Sequence, residues 1–189
     1  MTDSNSNIPE IEQFILSPSG EFPNNSFLPV LLYKRVLLPL EKNPDRKVKK
    51  LFKKNEWKNS WSNGIYDYHH YHSTVHEVLG ICEGEAHIIA GGPEGVQIHL
   101  QKGDVLIIPA GVAHKCLGGS KDFLCVGAYP EGRDYDIRHG SKDELPYALQ
   151  NIERVPLPEN DPVFGSEGPL KNYWKESYKG RERESSNPE

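Results

Sequence analysis

From Gly64 to about Tyr129 the chain is a train of short apolar runs cut by glycine turns, and this pattern limits the fold more than any other feature. The runs read EVLGIC, AHIIA, VQIHL, DVLIIP and DFLCVGAY. Between them stand Glu83-Gly84, Gly91-Gly92-Pro93-Glu94-Gly95, Lys102-Gly103 and Gly118-Gly119-Ser120. Runs this short, bounded by turn residues, fit strands better than helices. Glycine supplies the left-handed backbone that tight reversals need. Many short strands so joined build an all-β sandwich or barrel. No strand–helix alternation supports a doubly wound parallel sheet.

The flanks set the boundaries. Residues 1–26 read as an N-terminal arm. The barrel is expected over 27–129, opening on the apolar stretch Phe27–Leu40, one or two strands interrupted by Pro29 and Pro39. Between Lys42 and Lys58, Val48, Leu51, Phe52 and Asn55 recur at helical spacing, and lysines fill the other turns. That is a short surface helix with one apolar stripe. A net charge of -5 and the absence of interleaved aromatic residues argue against nucleic acid as its partner. Residues 130–174 read as an irregular, proline-broken extension packed on the barrel. The charged stretch 175–189 reads as a disordered tail.

A chain of 189 residues can bury a sizeable core. None of its apolar runs is long enough to cross a bilayer. The opening MTDSNSNIPE has neither a basic start nor a hydrophobic run, so no secretory leader is expected. The three cysteines, Cys82, Cys116 and Cys125, are odd in number and widely spaced, which fits free thiols in a cytoplasmic protein. The expected partner is a small molecule, with no nucleic acid and no membrane.

His70 and His72 are separated by one residue, which in a strand puts both imidazoles on one face. Glu77 opens the next apolar run. His114 follows the turn Pro109-Ala110-Gly111, and an antiparallel barrel can return it to the first pair. Three imidazoles and a carboxylate suit a divalent transition metal (Fe, Mn, Ni, Co or Zn) and leave coordination positions open. Calcium is disfavoured because it prefers oxygen ligands. If a bulge shifts the register, His76 could replace Glu77 in the shell. His69 is off the ligand parity, His99 faces away from an apolar stripe, and alternation leaves His87 ambiguous. Two catalytic candidates share the cavity face by parity. Tyr68 could donate a proton. Cys116 could offer a thiol, its other reading being a small buried apolar side chain. Arg133 stands where it could meet an anionic substrate or form a surface ion pair.

These residues fall into two ordered motifs. The first runs Gly64, IYDYH, His70-Tyr71-His72, four residues, Glu77, VLGICE, Gly84. The second runs Gly103, DVLII, Pro109-Ala110-Gly111, VA, His114, KCL, Gly118. They resemble the paired motifs of the cupin superfamily. The departures are a histidine, His69, closing the first gap, and Gly118 in place of a terminal asparagine that is not a metal ligand in the family. The segments WSNGIYDYHHYHSTVHEVLG and PLPENDPVFGSEGPL resemble the YjlB-type cupins more narrowly. The resemblance implies a double-stranded β-helix, a jelly-roll barrel, with metal at His70, His72, Glu77 and His114. It implies a metal-dependent oxygenase or related enzyme on a small organic molecule. The alternatives are a metal-dependent isomerase or lyase, and a non-enzymatic binder of a sugar or organic acid. It also implies a homodimer formed through edge strands.

Overall fold

The computed structural model describes residues 9–175. The start of the N-terminal arm, 1–8, and the tail reading beyond Lys175 lie outside the described residues. In chain order the elements are β1 (Ile11–Leu16), β2 (Asn25–Tyr33), α1 (Pro44–Lys54), β3 (Trp57–Asn63), β4 (Glu77–Glu83) and β5 (Glu85–Ala90). Then come β6 (Val96–Gln101), β7 (Val105–Ile108), β8 (His114–Gly119), β9 (Leu124–Pro130) and α2 (Leu145–Arg154). A third helical stretch occupies 170–175.

The strands form two antiparallel sheets, one of six in the order β1-β2-β7-β4-β9-β3 and one of three in the order β6-β5-β8. The chain passes between sheets at its glycine turns. Gly84 (φ 66°) joins β4 to β5, and Gly103 (φ 96°) lies between β6 and β7. In both the backbone is left-handed, the conformation glycine adopts without a side-chain clash.

The expected all-β closed jelly-roll barrel is not what the chain builds. The fold is mixed α/β and cupin-like, with three helices and two sheets that stay open. The alternation of 66–72 does not become a strand. Among its residues only His70 and Tyr71 make isolated bridges, to His114 and Arg138. Without a strand there, β3 and β8 remain sheet edges. The extension expected to be irregular carries α2. Pro146 falls in its first turn, where the missing N–H costs nothing. Ala148 and Ile152 then sit one helical step apart and pack beside Tyr71 and Ala113.

Both faces of the six-stranded sheet are covered, so its central strands read as continuous apolar runs. On one face Val30, Leu32, Leu79 and Ile81 meet Ile88 and Leu100 of the small sheet. On the other, Leu31, Tyr33 and Val78 lie beneath Val48 and Phe52 of α1 and beneath Leu170 and Trp174. Pro29 sits inside β2 but outside its paired registers, next to the bulge between Phe14 and Leu16, where a missing donor is tolerated.

Gly80 is where α1 reaches the sheet. A Cβ there would lie 2.8 Å from Val48 Cγ1 and 2.9 Å from Phe52 Cζ. Gly80→Ala is therefore expected to destabilise the protein by about 1–3 kcal/mol through overpacking. Urea unfolding checks this, and an unchanged midpoint would show that α1 can shift freely.

Candidate metal centre

The site grows from one short exchange of backbone hydrogen bonds. His70 N donates to His114 O (3.2 Å), and His114 N donates to His70 O (2.9 Å). This couples the start of β8 to the segment before β4. Between β7 and β8, Gly111 N donates to His72 O (2.8 Å), with Gly111 at φ 91°. A Cβ at Gly111 would lie 2.6 Å from both Asn24 O and Ile152 Cδ1, so only glycine fits here. Residues 70–72 are locally extended. His70 and His72 line a cavity, while Tyr71 between them packs into the α2 cluster.

His70, His72 and His114 are all buried, and each offers a ring nitrogen within 4.8 Å of the other two. Their Nδ1 atoms are all occupied. His70 Nδ1 faces Tyr68 O (3.1 Å), His114 Nδ1 faces Val112 O (3.1 Å), and His72 Nδ1 faces Asp136 O. A carbonyl can only accept, so each Nδ1 carries a proton, which leaves Nε2 as the nitrogen whose lone pair is free for a metal once the ring is neutral. That is how metal-binding imidazoles are held.

Glu77, at the head of β4, points its carboxylate at the same place. Its Oε2 lies 3.5 Å from His72 Nε2 and 3.4 Å from His114 Nε2. Its Oε1 accepts a hydrogen bond from Tyr129 Oη (2.9 Å), which in turn accepts one from Trp61 Nε1 (2.8 Å). Trp61 lies flat over Gly127, where a Cβ would come within 2.2 Å of the indole. The donor set fits a divalent transition ion. Three buried nitrogen lone pairs and a carboxylate converge, with each partner already oriented.

The electrostatics agree. Burial, then repulsion from His114, pull the His70 pKa down to about 3, so that ring stays neutral. Burial alone would lower His72 as well, but the Glu77 carboxylate outweighs it and His72 is raised. Burial would raise Glu77, but His72 and His114 more than compensate, so Glu77 is ionised.

The segment after β9 supplies a support that sequence reading missed. The Asp136 carboxylate accepts from Ser73 N (2.7 Å), Ser73 Oγ, Thr74 N and Arg138 Nε, while its own carbonyl holds His72. Asn151 of α2 donates to Ser73 Oγ (2.9 Å). Asp136, Tyr129, Trp61 and Tyr135 were all outside the candidate list. Tyr129 alone had a signal, its place in the run DFLCVGAY.

The other candidates fall elsewhere. His76 Nδ1 accepts from Ala110 N (2.9 Å) and its ring packs on Trp174, away from the three-histidine cluster. Tyr68 stacks on Tyr66 (4.9 Å) and is not among the residues lining the cavity; Tyr66 is. Cys116 is half-buried and also absent from that lining. His87 and His99 stack on each other at 4.4 Å across β5 and β6. Arg133 pairs with Glu131 (2.7 Å). No helix among the described residues is long and apolar enough to cross a membrane.

Residues 62–131 match the profile of the family described as Cupin. Over 165 residues the chain is 38% identical to a Bacillus subtilis (strain 168) protein named "Uncharacterized protein YjlB", covering 87% of this chain and 97% of that one. Among solved structures, acireductone dioxygenase from Bacillus anthracis, with a cadmium ion in its active centre, shares 16% identity over 57% of this chain and 82% of its own, at a TM-score of 0.38. A TDP-fucose-3,4-ketoisomerase from Campylobacter jejuni shares 18% over 42% of this chain and 67% of its own, at 0.35. Likeness at that level does not bear on the reaction.

Proposed function

Taking as premise that this chain belongs to the cupin superfamily, in the same group as YjlB of Bacillus subtilis, we propose that it is a metal-dependent enzyme acting on a small organic molecule, with oxygenase chemistry as the reaction class. The observation that carries this reading is the convergence of three buried imidazoles and one carboxylate at the wall of a cavity. His70, His72 and His114 would hold the ion through Nε2, and Glu77 through Oε2. Four protein ligands would leave coordination positions open for water or substrate. A bound redox-active iron would supply dioxygen activation beside the substrate.

The chain's own groups do the rest. Tyr129 holds Glu77 Oε1, so Oε2 stays turned to the cluster. Asp136 and Val112 hold His72 and His114 by their far nitrogens. Trp61, Leu79 and Tyr135 wall the cavity against water.

The open positions are tested by loading ferrous iron without oxygen and adding nitric oxide. An electron-spin signal of a high-spin iron nitrosyl is expected, together with oxygen uptake that needs both iron and an added organic substrate. Fully loaded protein that gives no nitrosyl signal would contradict an open site.

Acid should oppose metal loading. His72 is raised, so in the metal-free protein it retains a proton that a metal must displace. Loading should strengthen with rising pH and release a proton, whereas His70, already neutral, contributes none. The linkage has a second side. Glu77 is depressed and His72 raised, so their pairing stabilises the metal-free fold above the carboxylate range and is lost once pH passes the raised His72 value. Calorimetry in buffers of different ionisation enthalpy reads the proton release. Metal affinity independent of pH on the acid side of neutrality would contradict it.

A further inference from the structure

Two histidines that take no part in the buried cluster meet on the outside of the small sheet. His87 of β5 and His99 of β6 are direct partners in the antiparallel register. Their neighbours on the two strands, Ile88, Ile98 and Leu100, pack into the core. Side chains alternate along a strand, so both imidazoles face outward. His114 stands opposite Ala90, which belongs to that core, so the buried cluster lies on the other face of the same sheet.

The two rings stack at 4.4 Å between centroids, with 6° between their planes. That spacing is close to the 4.2 Å between His70 and His114 of the cluster. Directly opposed strand positions hold their Cβ atoms about 4.5–5.5 Å apart. Two imidazoles set so close can share one ion, whose bonds to nitrogen are about 2.0–2.1 Å long. A flat stack does not itself chelate, because a ligand nitrogen meets its metal in the plane of its own ring. Turning one ring about its Cβ–Cγ bond, a soft torsion, removes the mismatch. Both side chains have room to turn. His87 is exposed, and His99 keeps 40% of its side chain exposed. On its other side His87 pairs with Gly118, where an added Cβ would meet nothing within 4 Å.

A carboxylate stands beside the pair. Glu85 precedes His87 by two residues and so shares its face. Its Oε2 lies 3.2 Å from His99 Nε2. These three groups are not gathered as closely as those of the buried cluster, so the carboxylate steadies one ring and the ion recruits the other. Two imidazole nitrogens and a carboxylate oxygen suit a borderline transition ion, and copper(II) leads the divalent ions at such donors. Calcium and magnesium, which take oxygen ligands, are disfavoured.

We propose that His87 and His99, with Glu85, form a second, exposed metal site that takes copper(II) ahead of nickel and zinc. The ion bridges β5 and β6, and water fills its remaining positions. The site is independent of the buried cluster, which shares none of its residues.

Copper(II) titrated into the full-length protein and read by electron-spin resonance tests this. Wild type is expected to bind about two equivalents, and His72→Ala and His99→Gln about one each. The copper held by His72→Ala should show coupling to nitrogen. Adding His99→Gln or His87→Gln to that variant should weaken its copper binding by more than about 100-fold, and adding Glu85→Gln by about tenfold. His87, His99 and Glu85 stand on an exposed sheet face, so these variants should keep the wild-type circular dichroism. A His72→Ala/His99→Gln variant that binds copper as tightly as His72→Ala would overturn the site. So would copper in His72→Ala that shows no nitrogen coupling. A wild type that takes about one equivalent, lost in His99→Gln and kept in His72→Ala, would support the exposed site while removing the buried one.

Discussion

His72→Ala is expected to abolish stoichiometric loading of a divalent transition metal while the protein stays folded. His72 supplies one of three converging Nε2 atoms, and no other imidazole among the described residues is placed to replace it. Loss of a partner that merely orients a ligand already costs about 10- to 100-fold in metal affinity, so loss of the ligand should exceed about 100-fold. His114→Ala should behave in the same way. His76→Ala is the informative contrast. Its Nδ1 accepts the buried Ala110 N–H, and removing it strands that donor, at a cost of about 1–3 kcal/mol in stability. Its metal loading should be unchanged. Calorimetric titration with zinc separates the two outcomes. Loading lost in His76→Ala but kept in Glu77→Ala would assign the fourth position to the wrong residue.

The second large effect lies away from the cavity. Asp161→Ala should lower stability by about 3–5 kcal/mol and the thermal midpoint by on the order of 10 °C. Asp161 is fully buried and its carboxylate accepts four hydrogen bonds. They come from Tyr33 Oη (2.8 Å) and Leu170 N (3.2 Å) on one oxygen, and from Val163 N (2.8 Å) and Phe164 N (3.0 Å) on the other. The substitution would leave a phenol and three amides without a partner where water is excluded. Burial, and then Asp161 itself, raise the Tyr33 pKa, so Tyr33 remains a donor across the useful pH range. This one side chain ties residues 161–170 to β2, and with them the helical stretch holding Trp174. Trp174 donates its Nε1 hydrogen bond to Pro29 O (3.0 Å) and covers His76. Asp161→Asn should fall between wild type and alanine. A loss below about 1 kcal/mol in Asp161→Ala would mean the segment is held by its other contacts, among them the bonds from Asn55 Nδ2 to Pro162 O (2.8 Å) and Val163 O (3.0 Å).

Local pattern carried much of this structure. The five runs from EVLGIC to DFLCVGAY become β4, β5, β6, β7 and β9, because turn chemistry and short apolar runs are local properties, whereas Gly118 and Gly119, read as a turn, instead end β8. His70, His72, Glu77 and His114 line one cavity. Closure of the sheets was not legible. It depends on whether 66–72 pairs along its length, and alternation cannot report that. Two bridges form and the edges stay open. Helix α2 lies inside a stretch whose charges and flanking prolines point to irregular backbone, but its own proline, Pro146, stands in the first turn, where a helix tolerates it. Asp136 was hidden for a different reason. It acts through its main-chain oxygen on a histidine 64 residues earlier, and no spacing rule covers such a contact.

The most direct test of the central claim is the X-ray absorption fine structure at the metal edge of the loaded, full-length protein. The account predicts a nitrogen and oxygen shell whose outer scattering fits three imidazoles, together with one carboxylate. A shell of oxygen alone, or one with fewer than three imidazoles in the wild-type protein, would contradict it.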